Sequence, residues 1–290
     1  MSICNDTVQY QNIGVGVVYI LFGSICLIVY PVCLVAFVAK PNRLINKAQA
    51  YKIMFVMGFI DILNLLLGSQ LSGFLSILGY SYCPDGSQTW VRYCGIIITA
   101  TWVSYEMLSI ELALERCLYV TSPEKAIILF GGKKVWRLSI LAICLGYTYA
   151  IIFDQFVGLV IYHPGLGQWI TMPNMKKISD VKIFYSTVAL VNVTTPVTIV
   201  SCYTLSLRKL YKQWNTVRST STSRMMLRAF ITSAAVCVMT TGVCIGYVFI
   251  PPLTTEPVVF LCLNLWWQSA HGMQCFALLG QKLLNMHAIP

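Results

Sequence analysis

Seven apolar stretches divide this chain, and its basic residues fall almost entirely into alternate gaps between them. The stretches run roughly over 14–39, 53–78, 94–114, 138–161, 183–207, 229–250 and 258–279, each near the ~20 residues an α-helix needs to cross a ~30 Å hydrocarbon core. The first gap carries Lys40, Arg43, Lys47 and Lys52. The third carries Arg116, Lys125, Lys133, Lys134 and Arg137, and the fifth Arg208, Lys209, Lys212, Arg218, Arg224 and Arg228. With Lys282 after the last stretch, sixteen of the twenty Lys and Arg residues lie on one side. The other side holds only Arg92 in the second gap and Lys176, Lys177 and Lys182 in the fourth. Positive residues stay cytoplasmic, so the pattern predicts an all-α membrane protein: one seven-transmembrane helix bundle, N-terminus outside, C-terminus and a short tail over 280–290 inside.

Composition agrees, with 57% of residues hydrophobic, 10% charged and a mean hydropathy of +0.72. The net charge of +10 is therefore no nucleic-acid signal. Such a surface needs its cations on one contiguous face, whereas these sit at helix ends, where they set topology and meet anionic lipid headgroups. The connections leave room for a single membrane domain over 1–290 and no folded appendage. Residues 1–13 have one charge, Asp6, and lack the basic start and small-residue cleavage site of a signal peptide, so the first stretch is expected to be an uncleaved anchor.

Asn5-Asp6-Thr7 is a glycosylation sequon on the predicted outer side, whereas Asn192-Val193-Thr194 lies within a span and should be silent. Of the twelve cysteines, nine lie in or at the inner ends of spans and read as small apolar residues. Cys83 and Cys94 flank the outer second connection and are candidates for a disulfide, leaving Cys4 unpaired. No cysteine lies between Phe156 and Ile199, so no bridge can tie the third helix to the outer loop after the fourth.

An acid inside a membrane helix costs about 2.5–3.5 kcal/mol if ionised, which singles out Asp61, Glu106, Glu111 and Asp154. Asp61, among Gly58, Asn64, Gly68 and Ser69, is either a hydrogen-bonded packing residue or an ion- or water-binding switch. Glu106, one turn from Trp102 and beside Tyr105, either receives a cationic or hydrogen-bonding ligand or is satisfied by a neighbouring helix. Glu111 is five residues on, about 140° round the helix, so the two are not a carboxylate pair for acid–base catalysis. Asp154, in the outer third of its span, is placed to reach water or an upper cavity. At the inner end of the third stretch, Glu115-Arg116 reads either as a two-state latch or as a boundary marker.

In the seventh stretch, Trp266-Trp267-Gln268 and His271-Gly272 lie at mid-depth, where tryptophan is unusual, and imply a cavity wall or tight packing. His271 reads as a hydrogen-bonded core residue. His163 lies in an outer loop and His287 in the tail, so no metal constellation and no cofactor is expected.

These residues carry a family resemblance. Tyr51-Lys52-Ile53-Met54-Phe55, Gly58-Phe59-Ile60-Asp61, Gly73-Phe74-Leu75-Ser76-Ile77, Leu112-Ala113-Leu114-Glu115-Arg116-Cys117-Leu118, Trp267-Gln268 and His271-Gly272 together resemble the nematode serpentine chemoreceptors of class T, the Srt family. The resemblance spans essentially the whole chain. It implies a G-protein-coupled-receptor-like membrane protein of sensory neurons or their cilia, with a small-molecule ligand and a heterotrimeric G protein as partners. Trp102, Glu106, Tyr247, Trp267, Gln268 and His271 become ligand candidates, and Asp61, Glu115 and Arg116 coupling candidates. A ligand entering between helices three, five, six and seven would favour an opened cytoplasmic face, with bends expected at Pro196 and Pro251-Pro252.

One region departs from the family. After His271-Gly272 it usually has a proline, a Tyr-Leu and an Asn-Lys run, where this chain reads Met273-Gln274-Cys275-Phe276-Ala277-Leu278-Leu279-Gly280-Gln281-Lys282. A non-coupling member is therefore one alternative. A carrier relaying protons through Asp61, Glu106 and Glu111 is another, although no repeat symmetry accompanies it. An intramembrane enzyme would need a nucleophile–base pair or a Gly-x-Ser-x-Gly turn, and neither occurs.

Overall fold

A computed structural model describes residues 11–38, 49–81, 89–173, 178–212, 221–250, 253–254, 256 and 257–286, without the side chains at 36, 37, 173, 178–187, 189, 221–229 and 273–286. The elements in order are α1 (Ile13–Val38), α2 (Gln49–Leu65), a π turn (Leu66–Leu71), α3 (Ser72–Leu78), α4 (Thr89–Thr121) and the short α5 (Pro123–Phe130). They continue with α6 (Lys134–Ile152), a second π turn (Phe153–Val157), strands β1 (Gly158–His163) and β2 (Gln168–Pro173), then α7 (Ile178–Lys212), α8 (Ser221–Phe249) and α9 (Pro257–Met286). Six helical segments of the described residues are long and apolar enough to cross a membrane; the second is the rod Gln49–Leu78 and the fourth Lys134–Val157. The seventh stretch is the 30-residue α9.

Lipid is the solvent this surface requires. Along α1, Leu21, Ile25, Ile28, Val32 and Val35 are each more than half exposed, while Tyr19, Cys26, Tyr30 and Cys33 are buried. The exposed set recurs at alternating spacings of four and three, which keeps it on one helix face. In water, so large an apolar stripe would be a liability; against acyl chains it costs nothing. The central helix is α4, which packs on α2, α6, α7 and α8. Its buried Thr99, Thr101, Ser104 and Ser109 let neighbouring backbones approach, as membrane helices require where no hydrophobic driving force separates helix from lipid.

Several helices differ from their expected bounds: α7 is longer at both ends, α8 begins at Ser221 and α9 runs on to Met286. The third helix extends beyond 94–114 at both ends, to Thr89–Thr121. The fourth stops at Val157, so residues 158–161, expected to lie in the span, are in β1. The reason is in the sequence: Gly158-Leu-Val-Ile-Tyr-His and Gln168-Trp-Ile-Thr-Met-Pro are β-branched and aromatic runs on either side of Pro164-Gly165-Leu166-Gly167, the pattern of a hairpin. The strands pair antiparallel from Gly158↔Pro173 to His163↔Gln168, and Gly167 takes the positive φ of 66° that the turn needs.

Hydrogen bonds tie this hairpin to the bundle. Tyr19 Oη donates to the Gly167 carbonyl at 2.6 Å, and Asn264 Nδ2 reaches the same oxygen at 3.4 Å. Ser81 Oγ donates to the Tyr162 carbonyl at 2.7 Å, the Tyr162 hydroxyl pairs with Ser76, and Trp169 Nε1 donates to Ser72 Oγ at 2.8 Å. On α4, Gly95 lies so close to β1 that an added Cβ would fall on the Val160 carbonyl group, backbone that cannot swing aside. Gly95→Ala is therefore expected to cost about 1–3 kcal/mol by overpacking and to speed proteolysis of the hairpin. Unchanged thermal unfolding of the purified variant would contradict that close approach.

Asn5, Cys4, Cys83, Pro251 and Pro252 lie outside the described residues, so the sequon, the Cys83–Cys94 pairing and the outer bend of the sixth span are expectations only. Cys94 itself is half-buried, and Pro196 lies within the unbroken α7.

Candidate functional site

The deepest polar cluster is built on Asp61. From α2 its carboxyl is fully buried; Tyr30 of α1 donates to Oδ2, and His271 Nδ1 of α9 lies 2.6 Å from Oδ1. Tyr105 of α4 and Trp267 of α9 close around the imidazole edge to face, at centroid distances of 4.5 and 5.2 Å. Hydrogen-bonding partners on both carboxyl oxygens, Tyr30 on one and His271 on the other, are what permit its burial. Four helices thus meet at one titratable pair.

The π turn supplies the next layer. Its extra residue frees the Gly68 carbonyl from the helical ladder, and Gln268 Nε2 donates to it at 2.8 Å. Trp267 lies against Gly68, where any side chain would displace the indole. Nearby, Thr101 Oγ1 donates to Asn64 Oδ1 at 2.7 Å. Gln268 Oε1 and Asn64 Nδ2 are buried without a partner among the described residues. Trp267 is thus in tight packing, whereas Trp266, at 39% exposure, lies on the outer side against Gly242.

Glu106 faces the other way from α4. Cys244 Sγ of α8 donates to its Oε1 at 3.2 Å, and Thr195 and the half-buried Trp102 lie beside the carboxyl. Its Oε2 has no partner within hydrogen-bonding geometry among the described residues, nor does Thr195 Oγ1. Glu111 points instead to α6, where Ser139 Oγ lies 3.2 and 3.1 Å from its two oxygens, so the two acids are on separate faces.

Asp154 is corrected by the structure. Expected to reach water or a cavity, it is buried in the second π turn and held by Arg92, Nε to Oδ1 at 3.0 Å and Nη2 to Oδ2 at 2.7 Å, with Gln155 Nε2 adding a bond at 3.1 Å. Arg92, the lone cation of the outer second gap, thereby joins α4 to the end of the fourth span through a two-point contact that fits guanidinium to carboxylate.

At the opposite end of α4, Arg116 Nε bonds Glu115 Oε2 at 2.5 Å, with both side chains buried. The guanidinium also lies over the Tyr119 ring, 5.3 Å from its centroid, while Nη2 lacks a partner among the described residues. Adjacent side chains leave a helix about 100° apart, so both must bend to meet, a poorer arrangement than an interhelical pair. Below His271, α9 runs on helical to Met286 with no proline inside it.

The hairpin roofs the end of the bundle opposite Arg116. Tyr247, Val243 and Trp267 share one apolar cluster with Ile98 of α4 and with Val160 and Trp169 of the strands, so two of the ligand candidates meet beneath the roof. His163, at the hairpin's turn, accepts the Leu166 N–H at Nδ1, 3.2 Å away. Burial holds its pKa below the ordinary 6.5, against a smaller opposing contribution from a backbone hydrogen bond. The unfolded hairpin then binds more protons, so its stability is full above pH 6.5 and falls as pH drops through the lowered value. The protection of the 158–173 amides, taken against the intrinsic exchange rate at each pH, is expected to fall on acidification in the wild type and not in His163→Asn; an equal fall in both would exclude His163 as the cause.

Sequence reasoning identified Asp61, His271, Gln268 and Glu106 individually but not their partners. Tyr30, Tyr19 and Cys244 gave no signal of their own, and the hairpin's Gly-Pro punctuation was the one cue overlooked. Among the described residues, no three His, Cys, Asp or Glu side chains are grouped to hold a metal ion.

A family model described as "Serpentine type 7TM GPCR chemoreceptor Srt" matches residues 2–285. No curated protein compared with the chain matches it.

Proposed function

This chain belongs to the Srt family of serpentine seven-transmembrane chemoreceptors, and from that premise we propose that it is a chemosensory receptor, multi-pass in the plasma membrane of sensory neurons or their cilia, with its N-terminus outside. A small molecule bound inside the bundle shifts the equilibrium towards an opened cytoplasmic face that meets a heterotrimeric G protein. Buried polar atoms without partners are rare in folded proteins and mark where a ligand completes the hydrogen bonding. Glu106 Oε2, Thr195 Oγ1 and Gln268 Oε1 are such atoms among the described residues. They favour a ligand bearing a hydrogen-bond donor or a positive charge, with Trp102, Tyr247, Trp267 and His271 as apolar and aromatic wall.

The observation that carries this reading is the buried Glu115–Arg116 pair within a chain matched over residues 2–285 by a receptor family. Nucleotide exchange on a panel of G proteins, stimulated by odorant pools, tests it. Exchange that rises with a pool and disappears in Arg116→Ala at equal surface expression is the expected result; none from well-expressed protein across the panel would refute coupling. A second reading, a ligand-binding member that does not couple, is favoured by α9, which continues helical where the family usually has proline.

A further inference from the structure

Between the C-terminal end of α4 and the basic C-terminal end of α7 lies an open groove of about 400 Å³, lined by Cys117, Thr121, Leu205, Arg208, Lys209 and Lys212. We propose that this groove binds the phosphorylated headgroup of an anionic phospholipid whose acyl chains lie along α7. The site is independent of G-protein coupling and goes beyond the receptor reading.

Charge makes the first part of the argument. Three of the six lining residues are cations and none is a carboxylate. Glu115, the acid at this end of α4, is buried and bonded to Arg116. Arg208, Lys209 and Lys212 are exposed, and no ion pair engages them among the described residues. Positions 208 and 212 stack one turn apart with 209 alongside, so the three converge on one side of the helix end. There the partial negative charge of the terminal carbonyls holds them in place without neutralising them.

Shape and depth make the second part. A soluble phosphate would need only the cations, yet the groove has an apolar wall in Leu205 and Cys117, and the Thr121 hydroxyl is already occupied by the Cys117 carbonyl at 2.7 Å. Leu205 is in line with Lys212 and Val197 with Arg208, separations of seven and eleven residues that are close to whole turns of helix. Both apolar residues are more than half exposed. On the exposed side of α7, Val197 and Leu205 therefore lie in line with cations, with the small polar Ser201 and Thr204 between them, and Tyr211, 85% exposed beside them, is of the type that settles at the headgroup level. An acyl chain with an anionic head matches this sequence of surfaces. A protein segment, which would need partners for its own backbone, does not.

The test is native mass spectrometry of the full-length protein in detergent with phosphatidylcholine, phosphatidylserine or phosphatidylinositol 4,5-bisphosphate added, and inositol trisphosphate as the headgroup alone. The expected result is selective retention of the phosphorylated lipid, reduced on the order of tenfold or more in Arg208→Gln/Lys209→Gln/Lys212→Gln. Leu205→Trp, which fills the apolar wall without changing charge, is expected to weaken retention too, and it decides the matter if the triple variant does not fold. Lys133→Gln/Lys134→Gln/Arg137→Gln removes as many cations from the third connection and is expected to leave retention unchanged. Equal retention of phosphatidylcholine, equal binding of inositol trisphosphate, unchanged retention in Leu205→Trp, or as large a loss in the third-connection variant would overturn the proposal. So would unchanged lipid retention with lost nucleotide exchange in the triple variant, which would assign the groove to the G protein.

Discussion

Replacing His271 with alanine is expected to be the most damaging single change in the bundle, lowering stability by about 3–5 kcal/mol, because it strips the fully buried Asp61 carboxyl of its interhelical partner and empties the space between Tyr105 and Trp267. Asp61 is 0% and His271 2% exposed, so bulk solvent does not reach the pair in the intact bundle. Tyr30 remains as a donor to Oδ2, but Oδ1 loses its partner. The imidazole also fills the space between Tyr105 and Trp267, so part of the loss is packing. His271→Asn, which restores a donor, separates the two contributions and should recover part of the loss. Asp61→Asn combined with His271→Ala should cost less than the sum of the single changes, since the two residues share one interaction. Thermal unfolding in detergent reads all four variants. If His271→Ala falls within about 1 kcal/mol of wild type, the worth of an ordinary hydrogen bond, the pair is not what holds α2 to α9.

The second large effect is expected in signalling rather than stability. Glu115→Gln should raise ligand-free nucleotide exchange several-fold, because Arg116 is then held only by the Tyr119 ring and a weaker neutral acceptor. A charge-assisted bond is worth roughly 1.5–3 kcal/mol, and weakening it shifts a two-state equilibrium towards the open form by up to about tenfold for each 1.4 kcal/mol. Arg116→Ala moves the response the other way, since the cation offered to the partner is gone. The opposite signs matter: a purely structural pair would impair exchange in both variants. Basal exchange unchanged in Glu115→Gln at equal expression would mean the pair restrains nothing.

Much of the architecture is legible without coordinates because the bilayer imposes a one-dimensional rule. Every apolar stretch of sufficient length must span, and every cation must stay at an end. The seven stretches follow from hydropathy and the isolation of Glu111 from Glu106 from helical periodicity, whereas His271 read as hydrogen-bonded only because no metal partner stood near it in the sequence. The end of the fourth span was harder to read because Leu159, Val160 and Ile161 are as apolar as membrane residues. Hydropathy does not distinguish a strand in a hairpin from a helix in lipid; the distinction came from Gly158 and from pairing with Ile170 to Met172.

The partners within the site were not legible. Asp61 and His271 are 210 residues apart, Glu106 and Cys244 138, and Arg92 and Asp154 62, and nothing local in either sequence neighbourhood refers to the other. The Asp154 error had this origin: a buried acid near a helix end looks water-seeking until its cation is placed beside it.

The sequence by itself determined the apolar stretches, the polar residues that interrupt them and the family to which the chain belongs. Those properties sum over neighbours along the chain, as transfer free energies do. Only the tertiary structure decided how the buried polar groups are shared out: Asp61 to His271 and Tyr30, Gln268 to the freed Gly68 carbonyl, Arg92 to Asp154, and the hairpin tip to Tyr19 and Asn264. Lateral helix packing makes those choices, through close approach at glycines and complementarity between distant faces. A hydrogen bond in a low-dielectric interior depends on tenths of an ångström that no one-dimensional pattern records.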